Sequence, residues 1–376
     1  MQTIRTFRIF LSIFLLAGCS DPVAPEFEYI DGLVYIEGLA STITGLSKVT
    51  ITTSDTEFGI RKNTLIDDAQ VSFRNVDTAE QVDLVLDTDT YIPPNDFVVL
   101  EGETWEMQVL LSDGRQFQST PEKVTVPVDI LEINATYDTE LFFSEAFESF
   151  IPGHSVLISF EDPSEMENYY YWRFRSYEPI TICANCDEGT YFRNGICEPH
   201  SGYTLVPYFS YLCDSKCWRI RYNANIQIFT DDFVDGKLVN NLSIANIPLY
   251  TKENIVVEIQ QFSLSSSAYK YYKTLKDIID NSGGFNAPTP AALIGNLYNP
   301  NDANEVVLGR FTVAASSTKS IFIDRSDIKE LRLERYVPFG NSEGGPGFVV
   351  PDPLTLSIPC EESLYRTSIR PEGWLD

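Results

Sequence analysis

From Leu33 to about Ile130, apolar and polar residues alternate with a period of two, and Gly, Asn, Asp or Pro interrupts the alternation every few residues. That pattern marks short, half-buried strands joined by tight turns. Trp105, Met107, Val109 and Leu111 take one side against Glu106, Gln108 and Leu110, and Ser112-Asp113-Gly114 follows as a turn that tolerates positive φ. Val49 and Ile51 alternate with Lys48, Thr50 and Thr52, and Ala69, Val71 and Phe73 with Gln70 and Ser72. Roughly six or seven such strands over 30–128 predict an immunoglobulin-like or transthyretin-like sandwich.

The alternation resumes beyond 130. Trp218, Ile220, Tyr222, Ala224, Ile226 and Ile228 face one way while Arg219, Arg221, Asn223, Asn225 and Gln227 face the other, which predicts one continuous strand over 218–228. Asp231-Asp232-Phe233-Val234-Asp235-Gly236 then reads as a hairpin tip, with the return strand starting at Leu238. Ile255, Val257 and Ile259 predict a further strand, as do Val306, Leu308 and Arg310 set against Val307, Gly309 and Phe311. One stretch breaks the period: Ala268, Tyr271, Tyr272, Leu275, Ile278 and Ile279 recur at helical spacing. A helix near 267–281 is therefore expected, capped within Ser265 to Ser267 and stopped at Gly283, with Lys270, Lys273 and Lys276 on its solvated side. The expected fold is mainly all-β: the sandwich, then a larger antiparallel β-sandwich or barrel-like domain over 129–376 holding the helix and a Cys-rich insert over 183–217.

The first residues carry different information. Arg5 and Arg8 precede an apolar run from Ile9 to Leu16, broken only by Ser12 and followed by Ala17 and Gly18, the layout of a secretory signal over 1–18. The run is far shorter than the roughly 20 residues a membrane-spanning helix needs. Leu16-Ala17-Gly18-Cys19 resembles the bacterial lipobox, which implies cleavage before Cys19 and a diacylglycerol on its thiol. Two or three acyl chains hold a protein stably on a bilayer. Residues 19–29 form a Pro-containing tether. Asp21 within it is similar to the acidic export signals of Bacteroidota lipoproteins, which implies the outer face of the outer membrane.

Composition narrows the function. The chain has 376 residues, 43% hydrophobic and 13% aromatic, enough to build two cores and to exclude disorder as the main state. Asp plus Glu number 54 against 27 Lys plus Arg, and a net charge of -27 repels a phosphate backbone, so no nucleic-acid partner is expected. His154 and His200 are the only histidines and leave little for His-based catalysis. His154 adjoins Ser155, but neighbours on a strand point to opposite faces. The chain contains no His-Glu-x-x-His, Walker loop or Gly-x-Gly-x-x-Gly. Asp231, Asp232 and Asp235 could bind calcium, yet their spacing is not that of an EF-hand and Asp-Gly at a tip is ordinary turn chemistry. No catalytic residue, metal or cofactor is expected.

Beyond Cys19 there are Cys183, Cys186, Cys197, Cys213, Cys217 and Cys360. An even count in an exported chain favours three disulfides, with 15 conceivable pairings. Cys183 and Cys217 flank the insert, and a cross-link at its base is worth about 3 to 4 kcal/mol on a chain-entropy argument. The Cys183-x2-Cys186 and Cys213-x3-Cys217 spacings also suit zinc, which an oxidising compartment disfavours. Inside the insert Tyr191, Tyr203, Tyr208 and Tyr211 are candidate contact rings for a ligand or partner; the alternative is that they form its miniature core.

The lipobox is followed in order by Phe229-Thr230-Asp231-Asp232-Phe233-Val234-Asp235-Gly236-Lys237, Tyr269-Lys270-Tyr271-Tyr272, Gly295-Asn296-Leu297 and Leu308-Gly309-Arg310-Phe311. Cys360 and Pro371-Glu372-Gly373-Trp374 close the series. With these the chain resembles the Bacteroidota outer-membrane lipoproteins catalogued as domain of unknown function forty-two forty-nine. The resemblance implies a surface accessory role beside a SusC-like, TonB-dependent transporter and carries no reaction with it. Arg310 departs from it by standing where an aromatic is usual, and Glu362 and Ser363 fall where a second terminal cysteine is common, so the partner of Cys360 stays open. The expected function is therefore a lipid-anchored, non-enzymatic binding protein of unknown ligand. A surface hydrolase using paired carboxylates and an adhesin or envelope scaffold are the alternatives.

Overall fold

The computed structural model describes residues 30–187, 190–199, 208–223, 225–281, 293–333 and 355–375. The signal, Cys19 and the tether lie outside them, as do Tyr203, His200 and Gly283. No helix among the described residues is long and apolar enough to cross a membrane.

Nine strands come first: β1 (Val34–Ser41), β2 (Lys48–Glu57), β3 (Ile60–Leu65), β4 (Gln70–Asn75), β5 (Gln81–Asp87), β6 (Thr90–Ile92), β7 (Thr104–Leu110), β8 (Gln116–Ser119) and β9 (Glu122–Lys123). β1, β2 and β3 pair antiparallel in one layer, and β5, β4, β7 and β8 in the other. The residues that alternation assigned to one side meet between the layers: Ile36, Val49 and Ile51 face Val71, Phe73, Trp105, Met107 and Val109. This is the expected sandwich.

The second unit follows: β10 (Ile130–Ser144), β11 (Ser149–Glu161), β12 (Tyr169–Asp187), β13 (Thr190–Arg193), β14 (Ile196–Pro199), β15 (Tyr208–Tyr222), β16 (Gln227–Thr230), β17 (Leu238–Pro248) and β18 (Ile255–Ser263). Helix α1 (Ser266–Asn281), β19 (Leu297–Tyr298), β20 (Val307–Ile323), β21 (Ser357–Ile358) and β22 (Arg366–Thr367) complete it. β10, β11 and β17 form one layer; β15, β12, β18 and β20 form the other. Val156, Ile158 and Phe160 pack against Tyr170, Trp172, Val257 and Ile259 between them. The opposite face of β12 is covered too, because Tyr171 and Phe262 lie against Ala268, Tyr271 and Tyr272 of α1.

A single strand ties the two sandwiches together. Residues 307–314 of β20 run parallel to β1, and residues 315–323 run antiparallel to β18. β19 likewise pairs with β8. The chain leaves the first sandwich near 128, but that sandwich takes strands from far beyond this point.

The helix matches its sequence pattern. Ala268 N donates to Ser265 Oγ at 3.2 Å, so Ser265 is the cap. Lys273 and Lys276 sit on the outer side, paired one turn on with Asp277 and Asp280.

Two expectations are corrected. The strand over 218–228 is broken: β15 ends at Tyr222 and β16 starts at Gln227. Between Arg175↔Tyr222 and Trp172↔Gln227 one chain advances five residues while β12 advances three. Asn223 Oδ1 fills the gap by accepting from Phe174 N at 3.2 Å, a bond a strand would have made with backbone. Nor is 227–248 a hairpin, because β16 pairs with β12 in one layer and β17 with β11 in the other. The acidic turn between them is a crossing, held by carboxylates. Asn168 N donates to Asp231 Oδ2 at 2.8 Å, Glu165 N to Asp235 Oδ1 at 3.2 Å and Gly236 N to Asp162 Oδ2 at 3.2 Å.

The six cysteines pair as Cys183–Cys213, Cys186–Cys197 and Cys217–Cys360. Three disulfides are thus present, but the insert is not closed by Cys183 with Cys217. β12 and β15 continue as a paired ladder out to Asp187 and Tyr208, which places Cys213 rather than Cys217 beside Cys183. Cys217 instead fastens the C-terminal segment, whose Trp374 packs edge-on against Trp218 at 6.0 Å.

Candidate functional site

Several sequence-derived candidates lie among the described residues. Tyr211 is fully buried and Tyr191 nearly so. Phe192 N donates to Tyr211 Oη at 3.2 Å, and the ring packs among Cys183, Cys186 and Cys217. Tyr211 is therefore part of the insert's own core and not contact surface, because so small a unit has few aliphatic residues to bury, and Tyr191 is buried as well. Tyr203 and the side chain of Tyr208 lie outside the described residues. The sulfurs of Cys183, Cys217 and Cys360 lie within 4.8 Å of one another, a grouping that could suit a metal, but all three are disulfide-bonded. Asp162, Asp231 and Asp235 also converge within 4.8 Å, with Asp232 outside the group. Their oxygens serve the backbone bonds of the crossing, and Tyr170 donates its hydroxyl to Asp162, whose carboxyl burial pushes up. His154 is buried away from Ser155: its Nδ1 faces Arg325 at 3.5 Å, whereas Ser155 Oγ meets Ser243 Oγ at 2.8 Å. Burial, then the Arg325 guanidinium, lowers the His154 imidazole to about 4, so the neutral ring accepts from the arginine.

What the sequence did not assemble is a cavity of about 340 Å³ where the two sandwiches and the helix meet. Tyr35 and Glu37 come from β1, Tyr171 and Arg173 from β12, Tyr271, Tyr272, Leu275 and Ile279 from α1, and Arg310 from β20. Alternation places Tyr35 and Glu37 on the face of β1 away from Ile36, and Tyr171 and Arg173 on the face of β12 away from Trp172. The helix then lays its apolar face over both.

The walls are rings. Tyr171 stacks on Tyr272 at 4.6 Å with planes 18° apart, and Tyr271 stands edge-on to Tyr272 at 5.5 Å. The polar groups come as two ion pairs. Arg173 donates through Nη2 to Glu37 Oε1 at 2.8 Å and through Nε to Tyr171 Oη at 3.0 Å. Arg310, 3% exposed, is bound through Nη2 to Glu122 and to Ser267 Oγ. Glu122 is held further by the hydroxyls of Ser265 and Ser267, each donating to one of its oxygens. Burial raises the Tyr271 hydroxyl to about 12, so it remains a donor at ordinary pH.

A wider depression of about 710 Å³ lies on β4, β5, β7 and β8, but Gln70, Gln81, Gln108, Gln116 and Gln118 line it and Asp83 is its one charge. The tyrosine cavity is the only one of the two with paired charges and stacked rings, the usual make-up of a small-molecule site. A direct clue to it existed in the sequence. The buried face of α1 carries tyrosines where aliphatic residues would fill a core without needing partners, and Arg310 interrupts an apolar strand.

Compared with known families, residues 20–320 match the model described as domain of unknown function (DUF4249). No curated protein matches the chain.

Proposed function

The chain belongs to the DUF4249 family, and on that premise we propose that it is a non-enzymatic binding protein. In this reading Cys19 anchors it by lipid to the outer membrane, facing the cell exterior, where it serves a TonB-dependent transporter of the SusC-like type in nutrient capture. The observation that carries the binding role is the tyrosine cavity. Both acids next to it, Glu37 and Glu122, are tied to arginines, so neither is a free partner for the two-carboxylate chemistry of a glycosidase. The cavity suits holding a molecule rather than cleaving one.

Location rests on the signal over 1–18 and the lipobox ending in Cys19. A tether of about ten residues keeps the sandwiches within a few nanometres of the bilayer, so a ligand released from the cavity meets a neighbouring transporter at high effective concentration. Affinity purification of the tagged lipoprotein from outer membranes in mild detergent is expected to recover a TonB-dependent barrel in near-equal amount. Recovery of the lipoprotein alone contradicts the partnership.

A further inference from the structure

We propose that the cavity takes a small molecule with an oxyanion head, most simply a carboxylate, on an aromatic or apolar body. This rests on reading the cavity as the binding site and adds the chemistry of what enters it. Two buried donors there lack partners. Arg310 Nε has none, although its Nη2 is committed to Glu122 and Ser267. Tyr271 Oη has none either. The hydroxyls of Tyr35 and Tyr271 influence each other's ionisation but do not meet in hydrogen-bonding geometry. A guanidinium nitrogen only donates, so the group that satisfies it must accept. Buried donors in a native protein ordinarily find such an acceptor.

Charge assistance from the guanidinium, rather than net charge, favours an anion. Glu122 offsets Arg310, Glu37 offsets Arg173 and Glu258 offsets Arg175. Lys48 lies within electrostatic reach of Arg173 and Arg175 and of the acids Glu37 and Asp89, and burial first, then the arginines, lowers its amine. The charges around the cavity therefore balance, and the two unpartnered donors select the head group: a bond from the guanidinium to an oxyanion is stronger than one to a neutral acceptor. The stacked Tyr171 and Tyr272, with Leu275 and Ile279, offer the body of the ligand rings and aliphatic carbon but no further unpaired donors.

The test uses the mature lipoprotein in detergent and titrates 2-naphthoate and its neutral counterpart 2-naphthalenemethanol by calorimetry against a detergent blank. Naphthoate is expected to bind at least about tenfold more tightly, as a charge-assisted bond predicts. Arg310→Lys keeps the charge and the contact with Glu122 but deletes Nε, and Tyr271→Phe deletes only the hydroxyl. Each is expected to reduce the preference to about threefold or less, Tyr271→Phe without moving the melting temperature and Arg310→Lys with some loss of stability, because lysine cannot reproduce the bonds to both Glu122 and Ser267. A preference that survives both variants overturns the proposal. If the two probes bind alike and Leu275→Trp blocks both, the head-group inference falls while the cavity reading stands. If neither binds, or Leu275→Trp changes nothing, the cavity reading falls as well.

Discussion

Gly309→Ala is expected to cost about 4 kcal/mol or more and to leave little folded protein. Gly309 has φ of 100°, and a Cβ there would stand 1.9 Å from Ile36 O, inside the parallel ladder that joins β20 to β1. Neither partner can yield, because both atoms are backbone in paired strands. Gly295 stacks on the same spot: its Cβ would meet Gly309 O at 1.8 Å. Asn296, next in sequence, clamps β20 by accepting from Phe311 N and donating to Phe311 O, both at 2.9 Å. The Gly295-Asn296 and Gly309-Arg310-Phe311 motifs are therefore one device, a close backbone crossing at the seam between the sandwiches. Gly114→Ala is the control. Its φ is 91°, but nothing lies within 4 Å of the added carbon, so only the backbone penalty of about 1 kcal/mol applies. Chemical denaturation of the three proteins side by side checks this; equal losses at both glycines contradict it.

The second large effect is expected from the Cys217–Cys360 bond. It closes a sequence separation of 143 residues, against 30 for Cys183–Cys213 and 11 for Cys186–Cys197. On a chain-entropy argument a loop that long contributes about 5 kcal/mol, the largest of the three. Its loss also frees the C-terminal segment, whose Trp374 caps Trp218 and Phe322 and whose Tyr365 carbonyl accepts from Ile220 N. The double variant Cys217→Ser, Cys360→Ser is expected to melt roughly 10 °C lower, while Cys186→Ser with Cys197→Ser loses less. Thermal unfolding followed by circular dichroism reads the order directly, and a smaller loss for the long loop than for the short one contradicts it.

What could be read in the residues depended on whether one face of an element met solvent. Trp105 to Leu110 alternate and form β7 as expected, and Ala268 to Leu275 repeat at helical spacing and form α1, because each turns its apolar residues to one side. The segment 218–228 kept its alternation on paper yet breaks at Asn223, since a side-chain amide can replace a backbone partner without disturbing the period. The acidic turn at Asp231 looked like a hairpin tip because local chemistry fixes a turn but not which layer the next strand joins. Disulfide pairing was beyond the sequence for a similar reason: Cys360 finds Cys217 only once β15 and the C-terminal segment are side by side. The cavity was least legible of all. Tyr35 and Arg310 lie far apart along the chain and come together only through the shared strand β20, and Arg310 stood out merely as a departure from the aromatic expected there.

In the proposed function, lipid on Cys19 holds the binding module to a bilayer. Intact-mass measurement of the protein extracted from membranes tests this most directly. The predicted result is a chain lacking residues 1–18, beginning at Cys19, with a thioether-linked diacylglycerol and an acylated amino group. A mature chain with an unmodified Cys19 thiol, recovered from the soluble fraction, contradicts it.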